Sequence, residues 1–455
     1  MEKYDLTPVV VPEVNTKYRI IRTKLPVPES LPIFEALMKS EPQSMRGQPP
    51  IVWDRAEGFQ VYDRWGNKWL DFSSAVLVTN VGHGRQEIKD AIREMLDQGL
   101  LTNFAFVHEK RAELCRVLQS LSSNPANYQV ALFSGGSEAV EYAIKLAKTY
   151  ALEKYGPSRK YLVSFNNAFH GATLGSVLAG GKAVLKKWIV GEGSTFVQVP
   201  FPDGYKNENI FFGFFLKSLD ELAIQPKEVA GVIVESYQGG GPDFMPHAYA
   251  QQLETFCRKN DIVMIYDEMQ SGFGRTGKFW AYEHYGVTPD IITCGKGLSS
   301  SLPIAAVIGR KDIMALYPSG STVTTHSGNP VCVAAALASL ELLKKEGLVE
   351  NARKLGRVLS SELHKIRSKY PDILGCVRSV GLVAGIQVVK KGTKDPDGQT
   401  ALRINEQCFQ KGLLMFAPAG VAGECIKMGP PLVINEEALR EGIEVLEEAC
   451  DEILG

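Results

Sequence analysis

Two short apolar runs in the middle of the chain each end close to a residue that can carry chemistry. Residues 261–266 are rich in β-branched side chains and lead directly into Asp267, and residues 290–294 lead to Lys296. Runs of this kind predict buried strands. Side chains at the carboxyl ends of neighbouring strands of an open α/β sheet meet in one crevice, so a carboxylate and an amine are expected to face one ligand. A lysine there can form a Schiff base with an aldehyde, whereas the simpler alternative is a strand-end aspartate and a surface lysine.

The composition is that of an ordinary globular chain and excludes several classes of partner. The 455 residues carry 50 Lys and Arg against 51 Asp and Glu, so neither nucleic acid nor an anionic membrane is expected as a partner. No apolar run approaches the roughly 18 residues of a membrane span, and the polar amino terminus does not resemble a signal peptide. The eight cysteines are scattered without Cys-x-x-Cys spacing, so we expect reduced thiols, no metal site and a cytoplasmic protein.

Strand-like runs alternate with helical segments between about residues 100 and 310. This alternation predicts an α/β fold, in which a mostly parallel central sheet carries helices on both faces. A smaller α+β domain is expected from both termini. The predicted domains are an N-terminal arm with part of the small domain in 1–95, a large domain in 96–335 and a C-terminal small domain in 336–455.

The two ends of the chain carry weaker signals. Residues 1–50 are rich in proline, and we expect them to form an arm over a surface or a partner subunit rather than a core element. After residue 346, the pattern predicts two helices around a strand near 382–389.

Two glycine-containing motifs lie at predicted strand ends. Ser134-Gly-Gly-Ser-Glu-Ala139 opens a helix, where free backbone N–H groups and the positive end of the helix dipole favour a phosphate. Simple helix capping by Ser134 or Ser137 is the alternative. Phe169-His-Gly171 follows a strand-like run at 161–165 and offers an aromatic face to a planar ligand, although packing alone would also explain it.

Taken together, five motifs resemble those of the class III aminotransferases, which are pyridoxal-phosphate enzymes of fold type I. The resemblance covers about residues 51–446, and the order and spacing of the motifs agree with the family. The motifs are Ser134-Gly-Gly-Ser-Glu-Ala139, Phe169-His-Gly171, Asp267-Glu-Met-Gln-Ser-Gly-Phe-Gly-Arg-Thr-Gly277, Gly295-Lys-Gly297 and Gly328-Asn-Pro330.

The resemblance implies a role for each matching residue. Lys296 would bind the cofactor covalently and then carry a proton, while Asp267 would pair with the pyridine nitrogen and keep it protonated. Phe169 would stack on the ring and Gln270 would lie near its phenolic oxygen. The remaining cofactor-binding residues are predicted to be Gly136, Ser137, His170, Glu235 and, from a neighbouring subunit, Thr325. The last residue implies a homodimer with shared active sites, or a tetramer of such dimers.

Three positions that other family members use to bind substrate carboxylates differ in this chain. Ala172 stands where an arginine follows Phe169-His-Gly171, Gly240 replaces the second glutamate of the Glu-Pro-x-Gln-Gly-Glu-Gly stretch, and Lys427 replaces the arginine before Pro430-Pro431. A lysine cannot make the planar bidentate contact of an arginine with a carboxylate. Further positions at the family's substrate entrance are apolar or aromatic, and we expect them to line the substrate pocket: Val76, Leu77, Phe104, Phe106 and Tyr237.

These departures lead to a predicted function with one principal alternative. The chain is expected to move an amino group from an ω-, β- or simple amine, or an amino-acyl derivative, to an α-keto acid such as 2-oxoglutarate or pyruvate. Within the same family, an amino-acid racemase or epimerase or an amine lyase is the alternative. A non-catalytic scaffold is disfavoured because Lys296, Asp267 and the phosphate loop are all present.

Overall fold

The computed structural model describes residues 4–455, and these form two compact units. One unit comprises residues 4–85 together with Glu350–Gly455, and the larger one comprises Gln86–Val349. The sequence-based boundaries at residues 95 and 335 cut through the helices Gln86–Asp97 and Pro330–Lys345. Both helices belong to the larger unit, where they pack against each other.

Among the described residues, sixteen β-strands are numbered in chain order. They are β1 Val14–Asn15, β2 Ile20–Ile21, β3 Arg55–Glu57, β4 Gln60–Tyr62, β5 Lys68–Asp71, β6 Tyr128–Phe133, β7 Tyr161–Phe165, β8 Phe196–Val199, β9 Val229–Glu235, β10 Val263–Asp267, β11 Ile291–Cys294, β12 Ala305–Arg310, β13 Leu374–Val380, β14 Val383–Val388, β15 Leu413–Leu414 and β16 Cys425–Met428.

Thirteen α-helices of the described chain are numbered in the same way. They are α1 Leu31–Ser40, α2 Ser74–Leu77, α3 Gln86–Asp97, α4 Glu109–Ser120, α5 Gly136–Tyr155, α6 Leu174–Ala179, α7 Gly213–Glu221, α8 His247–Lys259, α9 Lys311–Met314, α10 Pro330–Lys345, α11 Leu348–Lys369, α12 Gly398–Gln410 and α13 Glu436–Leu454.

The larger unit is built on a seven-stranded sheet in the order β6-β12-β11-β10-β9-β7-β8. Strands β8, β7, β9, β10 and β11 run parallel, whereas β12 is antiparallel to both of its neighbours. The predicted mostly parallel sheet is therefore confirmed. The two apolar runs that precede Asp267 and Lys296 are the adjacent strands β10 and β11.

The core of the larger unit lies between this sheet and α5. Every residue of β9 and β10 is buried, which explains why these strands are continuous apolar runs rather than alternating ones. Eight of the nine buried residues of helix α5 belong to one hydrophobic cluster with residues of these strands, including Ala143 and Ala147. Small side chains at these positions let the helix approach the sheet closely, so its first turn is held against the strand ends.

The smaller unit contains a six-stranded sheet of β1–β5 with β15, and a three-stranded antiparallel sheet of β13, β14 and β16. The expected surface arm is wrong in part, because Ile21, Leu25 and Val27 are buried in a cluster with Trp69 and Phe409. Proline limits helix formation in this segment but does not keep its apolar side chains out of a core. The C-terminal part has three helices, α11 to α13, rather than the predicted two.

No helix in residues 4–455 has the length and apolar character needed to cross a membrane.

Candidate active site

Three neighbouring parallel strands place the predicted catalytic groups at one edge of the sheet. In the register of the sheet, Asp267 lies beside Glu235 of β9 and beside Thr293 of β11. Lys296 follows two residues after the end of β11. The carboxyl ends of parallel strands meet at the same edge, so the lysine, the aspartate and the glutamate face one space.

That space is a cavity of about 220 Å³ in the larger unit. Nine of the predicted site residues line it, and three further residues do so without having been predicted. The lining residues are Gly136, Ser137, Phe169, His170, Gly171, Glu235, Tyr237, Asp267, Met269, Gln270, Ser271 and Lys296. The structure thus brings together residues from four separate sequence motifs.

Lys296 is held in a strained backbone conformation at the edge of the cavity. Its φ of 46° lies in the left-handed region, which costs energy for any residue with a Cβ. Its amine makes no hydrogen bond or ion pair with any residue in 4–455. Burial lowers the pKa of this amine, and the carboxylates of Asp267 and Glu235 offset part of that effect. A larger fraction of the amine is therefore uncharged and nucleophilic than for an exposed lysine.

Asp267 is oriented from two sides. Its Oδ2 lies 2.8 Å from Nδ1 of His170, and its Oδ1 accepts hydrogen bonds from the Met269 N–H at 3.1 Å and the Thr293 hydroxyl at 3.2 Å. Burial opposes charging of His170, but the hydrogen bond and charge of Asp267 raise its pKa above the ordinary value. The imidazole is thus not an isolated core histidine, because it fixes the carboxylate that faces the cavity.

The glycine-rich turn before α5 is arranged to bind an anion. The carboxylate of Glu138 accepts the N–H groups of Ser134 at 3.0 Å and Gly135 at 2.9 Å, so Glu138 caps this helix from within. Neither Ser134 nor Ser137 caps the helix, and the simple capping alternative is therefore wrong. The N–H groups of Gly136 and Ser137 fall in the first turn, where no intrahelical acceptor reaches them.

Two further contacts shape this anion site. The Ser137 hydroxyl accepts the Ala172 N–H at 3.0 Å, which leaves its own proton to donate. A Cβ on Gly136 would lie 2.9 Å from the sulfur of Met269, so a larger residue would force this turn away from the cavity. The side chain of Met269 also lies against Gly295, where a Cβ would come within 2.8 Å of the same sulfur.

Glu235 holds the loop that carries the aromatic ring. Its two oxygens accept the N–H groups of Phe169 at 3.0 Å and Gly239 at 2.8 Å. Burial raises the pKa of Glu235, and the nearby His170 counteracts this. On the other wall, the buried Tyr237 donates its hydroxyl to the carbonyl of Gln270 at 3.1 Å. Glu235 and Tyr237 therefore contact the cavity and also fix the two segments on either side of it.

Six predicted residues do not line this cavity. Leu77 is buried in the smaller unit, and Phe104 and Phe106 are 49% and 76% exposed in the larger one. Thr325 belongs to the larger unit but is exposed in this chain. Val76 belongs to the smaller unit, where it is 42% exposed in the short element α2, whose residues 74–77 all have positive φ instead of the angles of a right-handed helix. Lys427 is also in the smaller unit, buried in β16 with its Nζ 5.9 Å from the ring centroid of Phe416.

The cavity-lining residues that the sequence reasoning missed are Gly171, Met269 and Ser271. All three directly follow or separate predicted residues within the same motifs. The turn after β10 brings Met269, Gln270 and Ser271 to the cavity together, whereas the alternation of a strand would have turned some of them away. Treating the whole motif as one turn would have included them.

The donor set fits pyridoxal phosphate. Phosphate would meet the first turn of α5 and Ser137, the ring would lie against Phe169, and its nitrogen would face Asp267. The amine of Lys296 is available for the aldehyde. No group of three or more His, Cys, Asp and Glu residues that could hold a metal ion occurs in the part of the chain the structure describes.

Comparison with known proteins agrees with this geometry. The family model for class III aminotransferases matches residues 43–450. A probable 4-aminobutyrate aminotransferase of Bacillus subtilis is 32% identical over 408 residues, covering 86% of this chain and 91% of its own. An isoleucine 2-epimerase of Lentilactobacillus buchneri is 32% identical over 412 residues, covering 88% and 89% respectively.

A solved structure extends the agreement to three dimensions. The crystal structure of an (S)-enantioselective omega-transaminase from Thermomicrobium roseum matches with a TM-score of 0.85 at 27% identity, covering 94% of this chain and 99% of that one. The predicted fold type I architecture is thereby confirmed. The chain belongs to the class III aminotransferases, enzymes that depend on pyridoxal phosphate.

Proposed function

We propose that this transaminase takes the amino group from an ω-, β- or simple amine, or from an amino-acyl derivative, and transfers it to an α-keto acid such as 2-oxoglutarate or pyruvate. One observation carries the choice of donor. Lys296 is the only lysine or arginine among the residues that line the cavity in the larger unit, and we assign it to the cofactor. This part of the site contributes no cation for a carboxylate next to the reacting amine.

The loop that would carry such a cation supports the same proposal. Ala172 is exposed, and its N–H is bound to the hydroxyl of Ser137 at 3.0 Å. The methyl side chain offers no charge where other family members have an arginine. Gly240 likewise offers no carboxylate in the stretch that follows Glu235. A substrate whose carboxylate is distant, masked or absent suits this arrangement.

The geometry of the cavity supports the following catalytic roles. When bound, pyridoxal phosphate supplies an electron-accepting ring that stabilises the negative charge left when a proton departs from the amine-bearing carbon. Asp267, oriented by His170, would hold the ring nitrogen protonated. Lys296, whose pKa burial lowers, would take the proton from the substrate carbon as a general base and return it. Phe169 and the first turn of α5 would hold the ring and phosphate in place.

A substrate panel tests the proposal. Purified holoprotein is incubated with simple amines, β-amino acids and 4-aminobutyrate, each with pyruvate or 2-oxoglutarate, and amino acid formation is measured. We expect amines that lack an α-carboxylate to give the highest kcat/KM. A clear preference for α-amino acids as donors would contradict the proposal.

A racemase is the second candidate because relatives of that kind are equally similar. The isoleucine 2-epimerase of Lentilactobacillus buchneri and a leucine/methionine racemase of Thermococcus litoralis are each 32% identical to this chain. Chiral chromatography after incubation with single enantiomers separates the two reactions. Racemisation gives the mirror-image amino acid without keto acid, whereas transamination consumes a keto acid for each amine.

We further propose a homodimer with shared active sites, or a tetramer of such dimers, in the cytoplasm. Thr325 is exposed and lies outside its own chain's cavity, as a residue that acts in a partner subunit would. The exposed apolar side chains of Leu101, Phe106 and Val107 support a covered surface. All eight cysteines are free thiols, as a reducing compartment favours.

The assembly is testable by complementation. Mixing Lys296→Ala subunits with Thr325→Ala subunits should restore one complete site per heterodimer and so recover activity. If light scattering shows a monomer, or mixing restores nothing, shared sites are ruled out.

A further inference from the structure

The backbone pairing between β9 and β10 ends at the cavity, and beyond it the two segments are joined by hydrogen bonds from side chains. The last pair of the ladder is Glu235 with Asp267. One residue further on, the Ser236 hydroxyl donates a hydrogen bond to the carboxylate of Glu268. In the next residue, the hydroxyl of Tyr237 donates a hydrogen bond to the carbonyl of Gln270 at 3.1 Å. Two hydrogen bonds from side chains therefore link the segments that follow β9 and β10. The two walls of the cavity are joined beyond the point where backbone pairing stops.

Glu268 is the centre of this connection. It is fully buried and accepts four hydrogen bonds, the others being from the Ser271 hydroxyl at 2.8 Å and the N–H groups of Ala281 at 3.0 Å and Tyr282 at 2.9 Å. Burial raises the pKa of Glu268, and these hydrogen bonds oppose that effect. A carboxylate offers about four acceptor positions, so this one is saturated and has no capacity left for a ligand. Its role must be exerted through the segments that it holds.

Ser236 is where this chain differs from the family pattern described above. The Glu-Pro-x-Gln-Gly stretch has proline at this position, and this chain reads Glu235-Ser-Tyr-Gln-Gly239. Proline restricts the backbone through its ring but has no hydroxyl to donate. In this chain, Ser236 is instead held by its hydrogen bond to Glu268 and by the Tyr285 hydroxyl, which donates to its carbonyl at 2.6 Å. Side-chain bonding replaces the restriction that a proline ring would supply.

We propose that Ser236 and Glu268 are positioning residues that keep Glu235 and Tyr237 in a fixed relation to Asp267 and Gln270. The proposal rests on the cofactor site described above and deepens it, but it does not depend on which amine is the donor. Glu235 in turn holds Phe169, so loosening Ser236 would displace the ring-stacking aromatic as well. A displacement of about 1 Å at a reacting group costs on the order of a hundredfold in rate, which sets the upper bound for the effect.

The test compares Ser236→Ala, Glu268→Gln and the double variant with Glu283→Gln as a matched control. Glu283 is an exposed carboxylate in the same segment as Ala281 and Tyr282, and it accepts the Trp280 N–H at 3.2 Å without touching the cavity. Three quantities are measured. They are the dissociation constant of pyridoxal phosphate from titration of the apoprotein, the pH midpoint of the visible absorbance of the bound cofactor, and kcat and KM separately.

Ser236→Ala is expected to lower kcat about tenfold, to change KM less than twofold and to move the pH midpoint, because Glu235 and Tyr237 lose their fixed relation to Asp267 and Gln270. The kcat of the double variant should be no lower than that of Glu268→Gln alone, because both substitutions remove the same hydrogen bond between Ser236 and Glu268. Ser236→Ala is the more conservative change and keeps the proposal testable if Glu268→Gln does not fold.

Two results would overturn the proposal. One is a Ser236→Ala variant with unchanged kcat and pH midpoint. The other is an equal loss of kcat in Glu283→Gln, which would show that general loosening of this segment is responsible. If the midpoint moves as expected but no simple amine is turned over, the positioning role stands and the proposed donor class fails.

Discussion

The residues proposed to hold the cofactor and the residues proposed to distinguish the substrate are held in the fold in different ways. Asp267 and Glu235 terminate neighbouring strands, and their places follow from a hydrogen-bonded register inside a buried sheet. Ala172 lies in an exposed turn, and Val76 and Lys427 belong to the smaller unit. The residues proposed for the chemistry are therefore placed by the seven-stranded sheet, whereas the residues proposed for substrate choice lie outside that sheet.

Replacing Lys296 should produce the largest effect. Lys296→Ala removes the only amine in the cavity, so covalent binding of pyridoxal phosphate and turnover should both be abolished. The measurement is the visible absorbance of the holoprotein together with kcat. Lys187→Ala serves as the control, since Lys187 is exposed and does not line the cavity. An unchanged spectrum in Lys296→Ala would remove this lysine from the site.

Asp267→Asn should have the next largest effect. The amide cannot keep the ring nitrogen protonated, and it also loses the charge that pairs with His170 at 2.8 Å. We expect kcat to fall by on the order of 10²–10⁴-fold, the range for losing a proton-transfer group, with covalent capture of the cofactor retained. The kcat is measured by steady-state kinetics of the variant reconstituted with pyridoxal phosphate. A loss of less than tenfold would mean that Asp267 does not control the ring nitrogen.

The cofactor side could be predicted from the sequence because strand ends and motif spacing carry the information. Asp267 and Lys296 follow apolar runs that are typical of buried strands, and Gly136 opens a helix at a glycine pair. The parallel sheet then brings these separate motifs to one edge. Nine predicted residues lie together for that reason.

Other features depend on contacts that no local pattern records. The contact of Met269 with both Gly136 and Gly295 joins positions far apart in sequence. The positive φ of Lys296 is imposed by the surrounding structure against the residue's own preference. Burial of Ile21 and Leu25 was missed because proline-rich composition indicates a lack of helix, not a lack of core contacts. The places of these residues are decided by tertiary packing.

The pH dependence of cofactor capture tests how Asp267 and Glu235 act on Lys296. Only the uncharged amine attacks an aldehyde, and burial lowers the pKa of Lys296 from the ordinary lysine value. The rate at which apoprotein captures pyridoxal phosphate should therefore rise through a midpoint below that of an exposed lysine. Asp267 and Glu235 both raise this pKa, Asp267 more strongly. Removing either negative charge should move the midpoint further down.

Stopped-flow absorbance of the apoprotein at a series of pH values measures these midpoints. The expected order, from highest to lowest midpoint, is wild type, Glu235→Gln and Asp267→Asn. Glu283→Gln should match the wild type, because Glu283 does not act on Lys296. A midpoint that rises in Asp267→Asn would mean that the carboxylate does not act on Lys296 through its charge.

Substitution of Lys427 tests the positions proposed for substrate choice, and it should change the kinetics less than the substitutions above. If this lysine offers a point charge to an acidic or phosphorylated substrate, Lys427→Ala should raise KM for that substrate about tenfold, the lower end of the range for one charge-assisted hydrogen bond. KM for a plain amine should stay unchanged. Lys427 is only 2% exposed, so truncation also removes packing, and Lys427→Met is the variant that keeps most of the stem. The same selective rise in KM for both variants would assign substrate discrimination to the charge, whereas equal losses for acidic substrate and plain amine would show that Lys427 only supports the fold of β16.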